Sequence, residues 1–258
     1  MIFLSSMSPE PVVFAEATRI FYSEIGSVIA VVAYLLGSIP FGYLVGKTHG
    51  MDIREHGSGN IGATNVRRTL GKGPGNLVFI CDVLKGVIAV VLAKIIAGTA
   101  HLIIIHDDSF VSGGAKSSTV FFPMAVAAVL AAVCCILGHN FPVWLKFKGG
   151  KGIATSAGVM IGMMPLVAVL DAAVWAAVFY ATGYVSLGSI VAAVAIPIIV
   201  IFMLMFGWMT GWPYFYFGIV ACVLAVWRHR ANIGRLMAGT EPRAKHKQAE
   251  SATVAEEK

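Results

Sequence analysis

The sequence predicts an all-α membrane protein: a polytopic helical bundle of seven transmembrane segments, one of them short, with the N-terminus outside and the C-terminus cytoplasmic. Three observations lead there. Of 258 residues, 58% are hydrophobic and only 12% are charged, and the mean hydropathy is +0.82, more apolar surface than a soluble core requires. The apolar residues fall into runs close to the length of about 20 residues that spans a bilayer as a helix. The basic residues gather in alternate loops, as the positive-inside rule demands of cytoplasmic segments.

The runs lie at Ile25 to Gly46, Leu77 to Ile96, Val120 to Leu137, Ile153 to Thr182, Val185 to Phe206 and Pro213 to Trp227. Lipid satisfies no backbone hydrogen bond, and the runs lack the alternation of a membrane barrel, so each is predicted helical. The first loop carries Lys47, Arg54, Arg67, Arg68 and Lys72, the third Lys146, Lys148 and Lys151, and the tail Arg228, Arg230, Arg235 and Arg243. All three belong on the cytoplasmic side. Six crossings from an external start leave the tail outside, so one crossing is missing. The run from Ile153 contains Gly158, Gly162 and Pro165, which divide it into a short helix near Ile153 to Met164 and a second from Leu166 to Ala181. The first piece rises only about 18 Å. A count of five crossings is the rival.

No linker or repeat divides the chain, so residues 1–258 form one membrane domain, with 1–24 an external extension and 240–258 a disordered cytoplasmic tail. The N-terminus lacks a basic region before its apolar residues, which argues against a cleaved signal peptide. Cys81, Cys134, Cys135 and Cys222 sit inside apolar runs without metal spacing and read as packing residues. The net charge of +6 is confined to loops, where orientation and anionic ligands explain it without nucleic acid. No acidic cluster calls for a metal, and no cofactor motif is present. F-G-Y-L-V-G-K-T, ending at Thr48, has the wrong glycine spacing for a nucleotide-binding loop.

The polar residues cluster at the cytoplasmic helix ends. In loop one, Gly57, Ser58, Gly59, Asn60, Gly62, Thr64 and Asn65 precede Arg67 and Arg68. Small residues there let the backbone approach a ligand, successive amides form an anion-binding concavity, and guanidiniums add charge-assisted bonds. Loop three repeats this chemistry with Lys148, Gly149, Gly150 and Lys151 before a helix whose first amides and Thr155 are expected to face an anion. After Trp227, R-H-R-A-N-I-G-R-L places Arg228, Asn232 and Arg235 on one helical stripe beside His229. An imidazole beside an amide and guanidiniums positions or deprotonates a hydroxyl. Asp82 and Lys85, three apart in an apolar helix, are too costly in lipid to lack a purpose, and structural pairing is one. His139 either caps a helix or orients the lysine loop.

These motifs resemble one family. G-S-I-P-F-G-Y-L at Gly37 to Leu44, G-S-G-N-I-G-A-T-N-V-R-R at Gly57 to Arg68, D-V-L-K-G at Asp82 to Gly86, G-H-N-F-P with F-K-G-G-K-G-I-A-T ending at Thr155, and R-H-R-A-N-I-G-R-L with G-T-E ending at Glu241 are similar to the bacterial acyl-phosphate-dependent glycerol-3-phosphate acyltransferases of the inner membrane. The similarity spans roughly Gly26 to Glu241. It implies transfer of an acyl group from fatty acyl phosphate to the sn-1 hydroxyl of glycerol 3-phosphate, giving lysophosphatidic acid and phosphate in the first step of phospholipid synthesis, without a cofactor. It implies a site facing the cytoplasm, with an acyl-phosphate-producing enzyme as a partner. Ser58, Arg68 and Lys151 become phosphate-site residues, and His229 and Asn232 lie near the acceptor hydroxyl or the reacting carbonyl. Either His229 or a substrate phosphate takes the hydroxyl proton. Arg235 and Glu241 join the substrate-binding set, and Asp82, Lys85 and His139 support it.

Overall fold

The computed structural model describes residues 11–105 and 118–244, and among these the regular structure is helical throughout. Ten α-helices follow in order: α1 Pro11–Ser38, α2 Phe41–Thr48, α3 Ala63–Leu70, α4 Lys72–Ile105, α5 Ser118–Asn140, α6 Ile153–Met163, α7 Pro165–Thr182, α8 Val185–Met205, α9 Pro213–Arg228 and α10 Arg230–Met237. Ser23–Thr48, Met124–Leu145, Pro165–Thr182 and Val185–Met205 are long and apolar enough to cross a membrane, and α6 and α9 are shorter apolar helices. Large apolar side chains such as Val31, Ile80, Val169 and Phe202 are more than half exposed, as expected where hydrocarbon is the solvent.

The predicted split of the fourth run occurs at Met164, with Pro165 opening α7, a position where its missing N–H is harmless. At the far end of the short α6, Lys94 reaches from α4 to donate to the Gly162 carbonyl at 2.8 Å, satisfying an acceptor the helix end would leave open. The first run differs from expectation. It breaks at Ile39 and Pro40, and α2 is a separate helix. Pro40 has no N–H to continue the ladder, and the Ile39 carbonyl accepts from Lys85 Nζ at 3.0 Å instead. That helix also begins at Pro11, well before the predicted Ile25, so the extension expected over 1–24 is helical wherever it is described. Residues 1–10, 106–117 and 245–258, which include most of the external loop and of the tail, lie outside the described residues.

Helices α1 and α4 both pack on α5, α6 packs on α4, and α7, α8 and α9 follow in sequence. The α4–α6 contact is close because Gly86 and Gly158 face each other's helix: a Cβ on Gly86 would lie 2.6 Å from the Thr155 carbonyl oxygen, and one on Gly158 would overlap Val83. Small residues let apolar helices approach within lipid, where no hydrophobic force drives them together. Val90, Ala128, Ala131 and Val159 fill the common core. The resulting frame brings loop one, loop three and the α9–α10 junction to one end of the bundle.

Candidate active site

Loop one is built around Asn65. The side chain is 2% exposed in the first turn of α3. Its Oδ1 accepts from the Ser58 amide at 2.8 Å, and its Nδ2 faces the carbonyls of Asn60 at 2.8 Å, His56 at 3.0 Å and Ile53 at 3.2 Å. Asn60 Oδ1 accepts from the Gly62 amide. Asn60 and Asn65, both expected to bind substrate, use these groups to shape the loop. Gly57 and Gly59 adopt φ of +60° and +68°, and a Cβ on Gly57 would overlap Asn65 Oδ1. Thus the turn requires glycine there. Ser58, Thr64, Arg67 and Arg68 are left exposed on its surface.

Loop three leaves α5 through a short 3-10 turn, Val143–Leu145, and then passes through Lys146 and Phe147 at φ of +52° and +61°. Two successive non-glycine residues in the left-handed region cost about 1–2 kcal/mol each, strain of a kind that persists only where surrounding contacts enforce it. The Gly149 amide donates to the Asn140 carbonyl at 3.2 Å and the Gly150 amide to the His139 carbonyl at 3.0 Å. A Cβ on Gly150 would overlap the His139 ring. Lys148 is exposed and Lys151 half-buried. Thr155, expected to face an anion, is 0% exposed and lies behind the loop against α4. Position three of α6 points into the bundle because the α4–α6 glycine contact turns that face inward.

His139 is held from beneath. Lys85 Nζ lies 2.7 Å from Asp82 Oδ1, 2.9 Å from His139 Nδ1 and 3.0 Å from the Ile39 carbonyl, and all three side chains are under 5% exposed. The ammonium therefore has a counter-charge in Asp82 and two hydrogen-bond acceptors, the His139 ring and the Ile39 carbonyl. Because Nδ1 accepts from a lysine, the His139 proton resides on Nε2. His139 lies one residue before the end of α5, and its ring packs against Gly150 of the lysine loop.

The third part is the α9–α10 junction. The chain bends at His229 (φ −98°, ψ 5°), so the expected single stripe of Arg228, Asn232 and Arg235 does not form. Arg228 ends α9 and turns to loop three, while Asn232 and Arg235 lie on α10 and turn to Glu241. Lys151 Nζ donates to Asn232 Oδ1 at 2.5 Å, Asn232 Nδ2 donates to Glu241 Oε1 at 2.6 Å, and Arg235 Nε donates to Glu241 Oε2 at 2.7 Å. His229 is 2% exposed, and its Nδ1 lies 2.8 Å from the Ala225 carbonyl. A carbonyl only accepts, so Nδ1 carries the proton and Nε2 is the lone-pair nitrogen.

The electrostatics follow from this packing. Burial lowers the Lys151 ammonium to about 8, with Arg235, Arg228 and Arg68 pushing the same way and Glu241 opposing. Arg68, of loop one, is the weakest of these charges. Burial likewise lowers His229 to about 4, keeping the imidazole neutral at pH 7. Burial pushes the Glu241 carboxyl up, but Ser186, Asn232 and Arg235 together outweigh it and hold the group below its usual range. The cluster therefore offers one ammonium, several guanidiniums, a neutral imidazole with a free nitrogen and glycine-lined backbone, a set suited to phosphate groups and a nearby hydroxyl.

The tail expected to be disordered from residue 240 is docked as far as Ala244. The Thr240 amide donates to the Arg235 carbonyl at 2.8 Å, the Ala244 amide donates to the Gly183 carbonyl at 2.9 Å, and Arg243 lies over the Tyr184 ring. The bonds of Glu241 to Asn232 and Arg235 hold this segment against α10. Sequence reasoning placed Arg228 on a helical stripe but missed that its guanidinium meets the carbonyls of Gly149 and Gly150, and it passed over Ser186, buried at the start of α8 beside Glu241. Neither contact follows a helical spacing, so neither had a local signal.

A family model described as "Glycerol-3-phosphate acyltransferase" matches residues 27–239. Proteins named glycerol-3-phosphate acyltransferase from Synechococcus elongatus and Acaryochloris marina are 42% and 43% identical, covering 83% and 87% of this chain and 92% and 94% of their own. The crystal structure of PlsY, an integral membrane glycerol 3-phosphate acyltransferase in its glycerol 3-phosphate form, is similar with a TM-score of 0.69 and 37% identity, covering 87% of this chain and 98% of that one. The same protein in its lysophosphatidic acid form gives a TM-score of 0.66.

Proposed function

This chain belongs to the glycerol-3-phosphate acyltransferase family, and on that premise we propose that it moves the acyl group of a fatty acyl phosphate onto the sn-1 hydroxyl of glycerol 3-phosphate. The hydroxyl oxygen attacks the acyl carbon, the bond from that carbon to the phosphate oxygen breaks, and lysophosphatidic acid and inorganic phosphate leave. The carrying observation is that Lys151 and the glycines of loop three meet Asn232 and Arg228 of the α9–α10 junction, beside His229; loop one is assigned to the same site as part of the proposal. Two anionic substrates need two anion-binding loops, while the acyl tail stays among lipid-facing helices.

The donor is already activated, so alignment supplies most of the acceleration; effective molarities are worth about 7–11 kcal/mol at best. Lys151 and Arg68 stabilise the departing phosphate as preorganised cations. Ser58, Arg67 and Lys148 extend the phosphate contacts from the exposed loop surfaces. His229, held near 4, is a weaker proton store than a phosphate monoester, whose second pKa is about 6. A phosphate oxygen of the substrate thus receives the hydroxyl proton, and His229 Nε2 orients the hydroxyl by accepting its hydrogen bond.

The same reading gives one membrane domain with seven crossings, formed by α1, α4, α5, α6, α7, α8 and α9. The N-terminus lies outside and the site opens to the cytoplasm at a bacterial inner membrane. An enzyme making acyl phosphate supplies the donor, and the product feeds phospholipid synthesis. The test is purified protein in liposomes with acyl phosphate and labelled glycerol 3-phosphate. Labelled lysophosphatidic acid with one phosphate per turnover is expected. Product only from an acyl thioester would refute the donor, and uptake without product would mark a transporter.

A further inference from the structure

We infer that Arg228 is a positioning residue for the transfer, a clamp that fixes the peptide planes of the lysine loop and thereby sets the place from which Lys151 acts. This rests on the proposed reaction and deepens it. The guanidinium donates from Nη2 to the Gly149 carbonyl at 2.9 Å and from Nε to the Gly150 carbonyl at 3.0 Å, with a second Nη2 contact to Gly150. Its plane lies against the rings of Phe141 and Trp227, at 5.3 Å and 5.8 Å from their centroids.

On the opposite side of the same two residues, their amides donate to the carbonyls of Asn140 and His139. Loop three is therefore gripped from both sides: amides by the end of α5, carbonyls by Arg228 at the end of α9. In a trans peptide the carbonyl and the next amide point opposite ways. Drawing the Gly150 oxygen toward Arg228 turns the Lys151 amide away from it and fixes where the Lys151 side chain departs. The loop needs this grip, because Lys146 and Phe147 just before it are held in the left-handed region, a conformation that relaxes when released. Arg228 also turns two carbonyl dipoles toward a cation in a loop meant to receive an anion. A lysine cannot replace it: the task needs a flat fork with donors aimed at two adjacent oxygens and a face that stacks on rings.

The experiment compares Arg228→Lys and Arg228→Ala with the native enzyme in liposomes, using acyl phosphate and glycerol 3-phosphate. Both variants should lose about 100-fold in kcat/KM, the scale of an ångström-sized misplacement of a catalytic group. Millimolar guanidinium should restore part of the Arg228→Ala activity, and ammonium should not. A purely electrostatic role predicts the reverse pattern, with Arg228→Lys near native, and that result overturns the clamp, as does Arg228→Ala within twofold of native. Should the variants not fold, hydrogen exchange of the segment 148–152 in the native protein decides. Slow exchange before any inorganic phosphate is added supports a preformed, clamped loop, and protection appearing only with phosphate overturns it. Absence of lysophosphatidic acid formation by the native protein would instead refute the reaction itself, a separate outcome.

Discussion

Replacing Glu241 with glutamine should move the alkaline limb of the pH profile downward. In the proposed mechanism Lys151 acts as the ammonium, and burial places its loss at about 8. Glu241 opposes that loss: its carboxylate reaches Lys151 through the Asn232 amide, by bonds of 2.5 Å and 2.6 Å. Two unit charges roughly 7 Å apart at an effective dielectric of about 20 attract by about 2 kcal/mol. Both groups touch solvent, so screening leaves about half of that, or about 0.7 of a pH unit. The sign is fixed, since removing a negative neighbour destabilises the ammonium and lowers its pKa. Glutamine keeps an oxygen for the Asn232 bond, so the shape of the contact survives. The assay is kcat/KM for glycerol 3-phosphate against pH in liposomes. The limb should fall by about 0.7 unit, and activity at pH 9 by about fivefold beyond any uniform loss. A limb that stays in place or moves upward would refute the proposed coupling of Lys151 to the docked tail.

Other outcomes follow from the same geometry. His229→Gln should lower kcat by about 100-fold, the scale of a misplaced acceptor hydroxyl, yet keep the acid limb near the second phosphate pKa of about 6; disappearance of that limb would return the base role to His229. Asp82→Asn leaves a buried lysine without its counter-charge and should cost about 3–5 kcal/mol, read from unfolding in detergent. Gly150→Ala drives a methyl into the His139 ring and should abolish turnover, whereas Gly73→Ala, with nothing within 4 Å, should be neutral in the same assay.

Elements with a period or a length were legible in the sequence. The apolar runs gave the bundle, and Pro165 with two glycines gave the short α6, because lipid imposes one rule on every span. The separate α2 was not legible, since only Lys85, 46 residues downstream of Ile39, supplies the partner that stabilises the break. Asn65 shows why chemistry in a loop is harder to assign: a buried amide that organises a turn carries the same letter as one that binds a ligand. Thr155 was misplaced because loop composition does not reveal which face of α6 meets α4. Arg228 and Glu241 act across 78 and 9 residues respectively, and the bend at His229 that redirects them depends on tertiary contacts rather than propensity.

Loop one and loop three are proposed to share a single pocket at the cytoplasmic surface. After the native cysteines are replaced, Ser58→Cys and Lys148→Cys can each be treated with a membrane-impermeant thiol reagent in right-side-out and in inverted vesicles. Both are predicted to react only in inverted vesicles and to be shielded when glycerol 3-phosphate is present. Labelling of the two from opposite sides, or reaction unaffected by substrate at both, would contradict the shared site.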